Sequence, residues 1–248
     1  MRYIDKLLAY IKLPVVIIGL ALTVLALHIE GFILGFTEAR GFKYRLAFIK
    51  FLIAVLSIKI HKTGDSSFRN ALYACNHRMM IDPVVLLRYI DAYVVSKAEV
   101  ADYPIIGSGT RRTNVVFLHR QDKNSRREMR RIIGELLESG KAVSIYPEGS
   151  VNLLDLSGPM FPGSFEVAAS TGRPVVPVAL DFADRSVYWG ANSSLIAHFL
   201  DVFSRRRIIC SIHYCEPIYS DNAEILKEQC QSAIDAALQQ MRSEWSSK

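Results

Sequence analysis

Asn76-His77-Arg78-Met79-Met80-Ile81-Asp82 sets a histidine and an aspartate five positions apart, just before Pro83. A carboxylate bonded to one imidazole nitrogen fixes the tautomer and raises the basicity of the other, so this pair suits a catalytic dyad. The same residues also admit a structural reading, with Asp82 as a helix cap and His77 as a polar loop residue. Two further stretches carry polar groups at the ends of apolar runs: Asn114-Val115-Val116-Phe117-Leu118-His119-Arg120 and Tyr146-Pro147-Glu148-Gly149-Ser150. In open α/β sheets, ligands bind beyond such strand ends. A Cys75–His77 nucleophile pair is disfavoured, because cysteine is among the commonest buried residues. Ser108, between Gly107 and Gly109, lacks the surroundings of a nucleophile elbow or phosphate loop and reads as a turn.

The elements that must position these groups follow from the apolar pattern. Short strand-like runs lie at Ser57–His61, Ala71–Cys75, Ala92–Val95, Val115–Leu118, Ala142–Tyr146, Val175–Leu180 and Ile208–Tyr214. Asp82-Pro83 marks a helix start, continued by Val84 to Ile90. Ser125 to Glu138 is a helix with a Ser125/Glu128 capping box and a stop at Gly140. Its polar face carries Arg126, Arg127, Arg130 and Arg131, a solvated face or a docking surface for an acidic carrier. A last helix runs from Asp221, boxed with Glu224, to Trp245, with Leu226, Cys230, Ile234, Ala237, Met241 and Trp245 as its apolar stripe. Strands alternating with helices predict an α/β fold with a mixed, largely parallel sheet flanked by helices.

The first 56 residues differ. Leu13–Ile29 is apolar apart from Thr23 and His28, and Leu46–Ile60 is a second, shorter apolar stretch. Basic residues flank the first on both sides: Arg2, Lys6 and Lys12 before, Arg40, Lys43 and Arg45 after. Charge on both sides predicts no orientation for a single crossing, so two helices dipping into one leaflet are expected, with basic side chains reaching head groups. The expected division is a membrane-associated hairpin over 1–56 and an α/β domain over 57–248. A net charge of +6 fits an anionic surface, and the apolar start argues against nucleic acid as partner. Four cysteines without a C-x-x-C pair predict no metal site and a reducing compartment.

The ordered motifs resemble the glycerolipid acyltransferase family, typified by 1-acylglycerol-3-phosphate O-acyltransferases. Asn76-His77 with Asp82 is similar to the N-H-x4-D motif, and Phe117 with Arg120 to G-x-x-F-x-x-R, with Asn114 in the place of its Gly. Pro147-Glu148-Gly149-Ser150 is similar to P-E-G-T, Val176-Pro177-Val178 to the proline-centred fourth motif, and Lys97 stands where the family often has Lys. The resemblance implies that His77 is general base on a lysolipid hydroxyl, oriented by Asp82. The hydroxyl would attack an acyl thioester of acyl carrier protein or coenzyme A, with no other cofactor. Asn76, Lys97, Arg120, Glu148, Gly149 and Ser150 would bind substrate. The implied location is the cytosolic face of an inner or endoplasmic-reticulum membrane.

One departure bears on the acceptor. The family motif usually continues with Arg, and here the position is Val151, while Pro162 replaces a frequent Lys. Val cannot replace a bidentate Arg–phosphate contact. Lysophosphatidate is the first acceptor expected, and a phosphate-free lysolipid of the lyso-ornithine or lyso-glycine type is the alternative. A non-catalytic membrane-surface module is disfavoured by the intact His77 and Asp82.

Overall fold

A computed structural model of the chain describes residues 3–97, 106–118, 123–190 and 193–246. Its strands are β1 (Ile58–Gly64), β2 (Leu72–Cys75), β3 (Ala92–Lys97), β4 (Val115–Leu118), β5 (Ala142–Ile145), β6 (Val175–Phe182) and β7 (Ile208–Tyr214). They form one seven-stranded sheet in the order β1-β7-β6-β2-β5-β3-β4. All neighbours run parallel except β6 and β7. The expected mixed, largely parallel sheet is therefore present.

The central strands are buried on both faces, and alternate residues feed two cores. Tyr73, Cys75, Val176, Val178 and Leu180 enter one core, while Leu72, Ala74, Val143, Val175 and Ala179 enter the other. The second core is closed by α5 (Lys123–Glu138), α6 (Gly163–Thr171) and α8 (Ala223–Ser246). The α8 stripe is Leu226, Cys230, Ile234, Leu238 and Met241, with Leu238 rather than Ala237 fully buried. Asn222, not Asp221, caps this helix, its Oδ1 accepting from Glu224 N at 2.9 Å. Helix α5 begins at Lys123, which places Ser125 inside the helix rather than at a capping box.

The other face carries α1 (Tyr3–Leu34) and α2 (Glu38–Val55). Helix α2 crosses the whole sheet. At its start, Glu38 O accepts from Asn114 Nδ2 at 3.0 Å, and Arg45 reaches Thr113 O at 3.1 Å, beside β4. At its end it feeds β1, on the opposite edge. Eighteen residues span about 27 Å, close to the six inter-strand spacings of about 4.8 Å that separate those edges. Gly41 permits the crossing, since a Cβ there would lie 2.6 Å from Arg112 O.

Packing runs across the expected division at residue 56. Ile49 and Leu52 of α2, and Leu56 just past its end, share one core with Tyr73, Val176 and Ile212, so no packing boundary separates 1–56 from the sheet. The end of the second apolar stretch, Ile58 to Ile60, is strand and not helix. Two basic residues expected at head groups are engaged with protein instead: Arg45 as above, and Lys12, whose Nζ donates to Arg205 O at 2.6 Å.

Helix α1 passes through Pro14 without ending and lies outside α2. Gly19 meets the Phe51 ring, and Glu30 pairs with Arg40 at 2.9 Å, so the two helices run antiparallel. Ala9, Val16 and Leu27 are buried against the protein, whereas Ile11, Ile18, Leu22, Leu25, Ile29 and Phe32 are exposed. Among the described residues, α1 is the one helix long and apolar enough to cross a membrane. Its polar groups are satisfied internally: Thr23 Oγ1 donates to Gly19 O at 2.7 Å, and His28 Nδ1 lies 2.8 Å from Val24 O. Helix α4 (Ile106–Thr110) packs on it, and Ser108 Oγ sits 3.3 Å from His28 Nε2, a helix contact and not a phosphate loop.

Candidate active site

The parallel pairing of β2 with β5, Ala74 opposite Ile145, sends two chain segments off the sheet side by side. One continues into His77 and the other into Glu148. Their backbones are then stitched together. His77 N donates to Glu148 Oε1 at 3.3 Å, and His77 O accepts from Asn152 N at 3.1 Å.

Asp82 is fully buried, and its Oδ2 accepts from His77 Nδ1 at 2.7 Å. The same oxygen accepts from Arg78 N at 2.6 Å and Met79 N at 2.9 Å. The carboxylate thus holds the turn as well as the imidazole. It is not the helix cap: α3 (Asp82–Leu86) has Ile81 at that position, and Asp82 turns back towards the preceding loop. The helix also stops at Leu86, short of the expected Ile90. A carboxylate only accepts, so Nδ1 carries the proton and Nε2 presents its lone pair. The His77 side chain is 19% exposed, which leaves that edge open to a ligand. The Tyr146 ring stacks on it at 4.2 Å between centroids and 24° between planes.

Asn76 is turned into the protein. It is fully buried, donating to Leu180 O at 2.9 Å and accepting from Leu180 N at 2.8 Å, which pins the end of β2 to β6. Glu148 is likewise buried, its second oxygen held by Asn152 Nδ2, and burial pushes its carboxyl up from the usual range. Both of these expected substrate-binding residues are engaged with protein groups. Gly149 is required by its φ of +72°, and a Cβ would lie 2.9 Å from the Phe161 ring. Ser150 is exposed at the rim, next to half-buried Val151. Asn114 adopts φ 61°, the left-handed region where Gly is favoured and Asn tolerated, which accounts for Asn in that motif place. The Lys97 side chain and Arg120 lie outside the described residues. Cys75 is fully buried and burial raises its thiol pKa well above the ordinary value, which removes it as a nucleophile.

The residue that sequence reading passed over is Arg78. It is fully buried, although arginine is normally exposed. Its guanidinium donates to Asn152 Oδ1 at 2.6 Å, Leu154 O at 2.8 Å, and Asp155 O and Leu156 O at 3.3 Å. It also lies 3.9 Å from Asp181, which Arg242 pairs at 2.9 Å. One side chain therefore ties the segment after Ser150 to the His77–Asp82 loop. Its only sequence signal is its place between His77 and Asp82. On the basic face of α5, Arg130 pairs with Glu166 at 2.9 Å and Arg131 with Glu128 and Glu135, while Arg127 is exposed.

Among the described residues no cluster suits a metal ion. A mixed sheet that holds a carboxylate-bound imidazole at its strand ends is a frame for base-assisted group transfer. The chain belongs to the acyltransferase family, whose model matches residues 57–181, half of its length. It is 29% identical over 224 residues to a chloroplastic 1-acyl-sn-glycerol-3-phosphate acyltransferase of Brassica napus, covering 86% of this chain and 62% of the relative. A similar chloroplastic acyltransferase of Arabidopsis thaliana is 30% identical over 68% of this chain and 45% of its own length. The chain thus spans less than two thirds of these two plant relatives. A lyso-ornithine lipid O-acyltransferase of Pseudomonas aeruginosa is 27% identical, over 75% of each. The crystal structure of the 1-acyl-sn-glycerophosphate acyltransferase of Thermotoga maritima shares the fold, with a TM-score of 0.76, 18% identity and 96% of each chain covered.

Proposed function

We propose that this chain transfers a fatty acyl group from an acyl thioester to the free hydroxyl of a lysolipid, with His77 as general base. The observation that carries this reading is the 2.7 Å bond from His77 Nδ1 to buried Asp82, which leaves Nε2 as the accepting atom. Nε2 takes the hydroxyl proton as the oxygen attacks the thioester carbonyl. Asp82 stabilises the imidazolium that forms, and the proton passes to the departing thiolate. The donor is acyl carrier protein or coenzyme A. The apolar outer face of α1 supports membrane association: a helix held to protein along one side from Ala9 to Leu27 lies along a bilayer surface rather than across it. The location that goes with this reading is the cytosolic face of the membrane.

The first acceptor is lysophosphatidate, the substrate class in the names of the plant relatives. A second reading, a lyso-ornithine type acceptor, is favoured by Val151 in the place of the motif Arg and by relatives of that name. The test is purified wild type and His77→Ala assayed with lysophosphatidate and lyso-ornithine lipid. Activity retained in folded His77→Ala overturns the mechanism, and the wild-type ratio of kcat/KM decides the acceptor.

A further inference from the structure

Tyr146 is the aromatic residue in contact with the catalytic imidazole, and it carries a hydroxyl that the acyl-transfer reading does not use. The ring sits at the end of β5 and stacks 4.2 Å from His77. The hydroxyl is buried and bonds to no described residue. The Oδ1 of Asp82 is in the same condition, while its Oδ2 takes all three donors. These two buried polar atoms, one a donor and one an acceptor and neither paired among the described residues, belong to the two residues that contact the imidazole. A buried polar group left unpaired is costly, and native structures retain few of them. The hydroxyl is within electrostatic reach of Asp82, and burial together with that charge keeps it protonated.

We propose that Tyr146 is a positioning residue for the His77–Asp82 pair: its ring sets the plane of the imidazole, and its O–H directs a dipole at the Asp82 oxygen that no described residue holds. The inference rests on His77 as the base. The ring confines the imidazole between the stacked face and the Asp82 bond, so Nε2 keeps one direction. The dipole shares the Asp82 charge, which moderates how strongly the carboxylate favours the imidazolium. Removing the hydroxyl therefore raises the His77 pKa. Arg78, Glu148, Cys75, Cys210, Tyr214 and His198 are the other titratable groups around the pair, and none is altered by the substitution used.

The test compares Tyr146→Phe, which keeps the ring, with Tyr146→Leu, which removes ring and hydroxyl. Each is assayed for kcat, KM and the pH profile of kcat/KM. His77 is also titrated by NMR on histidine-labelled protein, its signal assigned with His77→Asn. For Tyr146→Phe, KM stays level, and both the acidic limb and the NMR midpoint rise by about half a pH unit. For Tyr146→Leu, kcat falls about a hundredfold at little change in KM, as expected when a base loses its orientation. Profiles and midpoints that superimpose on wild type in Tyr146→Phe overturn the hydroxyl's role. A Tyr146→Leu loss that tracks the unfolded fraction overturns the ring's role. The NMR midpoint is read without substrate, so it still reports the coupling if His77→Ala were active and the base reading failed.

Discussion

Glu148 holds His77 by its backbone: Oε1 accepts the His77 N–H at 3.3 Å across 71 positions of sequence. This oxygen of the motif carboxylate is engaged by the His77 backbone. Together with Asn152 N on His77 O, it clamps the His77 backbone from both sides, so the imidazole is aimed by two loops rather than one.

Asp82→Asn separates orientation from charge. The amide oxygen can still accept from Arg78 N and Met79 N, so the turn is kept, but the imidazolium loses its counter-charge. We expect a folded protein with kcat reduced about 10²–10⁴-fold, the range of general-base assistance. The check is steady-state kinetics beside circular dichroism, and a loss under threefold would count against the dyad.

Arg78→Leu should damage both stability and activity. Removing one member of a buried ion pair costs about 3–5 kcal/mol, because the partner charge is left behind. Here Arg242 still pairs Asp181, which places the loss near the lower end. The carbonyls of Leu154, Asp155 and Leu156 also lose their donor. Denaturant titration and kcat at a temperature where the variant is folded would show the two effects, and an activity equal to wild type would dissociate this loop from catalysis.

His198 makes stability depend on pH. It is buried, stacks on Trp189 at 5.4 Å, and burial depresses its pKa below 6.5. The unfolded chain binds the proton near pH 6.5, the folded one only below that. The stabilising contribution is therefore full above pH 6.5 and is lost as pH falls through the depressed folded value. The slope reaches at most about 1.4 kcal/mol per pH unit for one group. Unfolding followed by tryptophan fluorescence between about pH 7.5 and 5.5 should show the decline, and His198→Phe should flatten it. Parallel wild-type and variant curves would assign the pH dependence elsewhere.

Val151→Arg tests the acceptor. A hydrogen bond to a charged group contributes about 1.5–3 kcal/mol, so restoring the motif cation should raise the kcat/KM ratio of lysophosphatidate to a phosphate-free lysolipid about tenfold or more. If wild type already prefers lysophosphatidate strongly and the ratio does not move, phosphate is bound by another route and the phosphate-free reading falls.

What the sequence determined by itself is local. Seven apolar runs became the seven strands because a buried strand needs only a short β-branched or aromatic run between breakers. His77 and Asp82 met because five positions around one turn bring them within hydrogen-bond reach. Left-handed φ at Asn114 and Gly149 was implicit in the residue types their motif places call for. What the tertiary structure decided is everything that depends on which strands are neighbours. Only the placing of β2 between β5 and β6 turns Glu148 and Asn76 into supports for the His77 loop, and only a partner about a hundred positions away makes room for a buried Arg78. The N-terminal helices show the same limit. An apolar run has the same composition whether it faces lipid or core, so α2 read as a membrane helix until the sheet beneath it supplied Tyr73 and Val176 as its neighbours, while α1 kept an apolar face that none of the described residues covers.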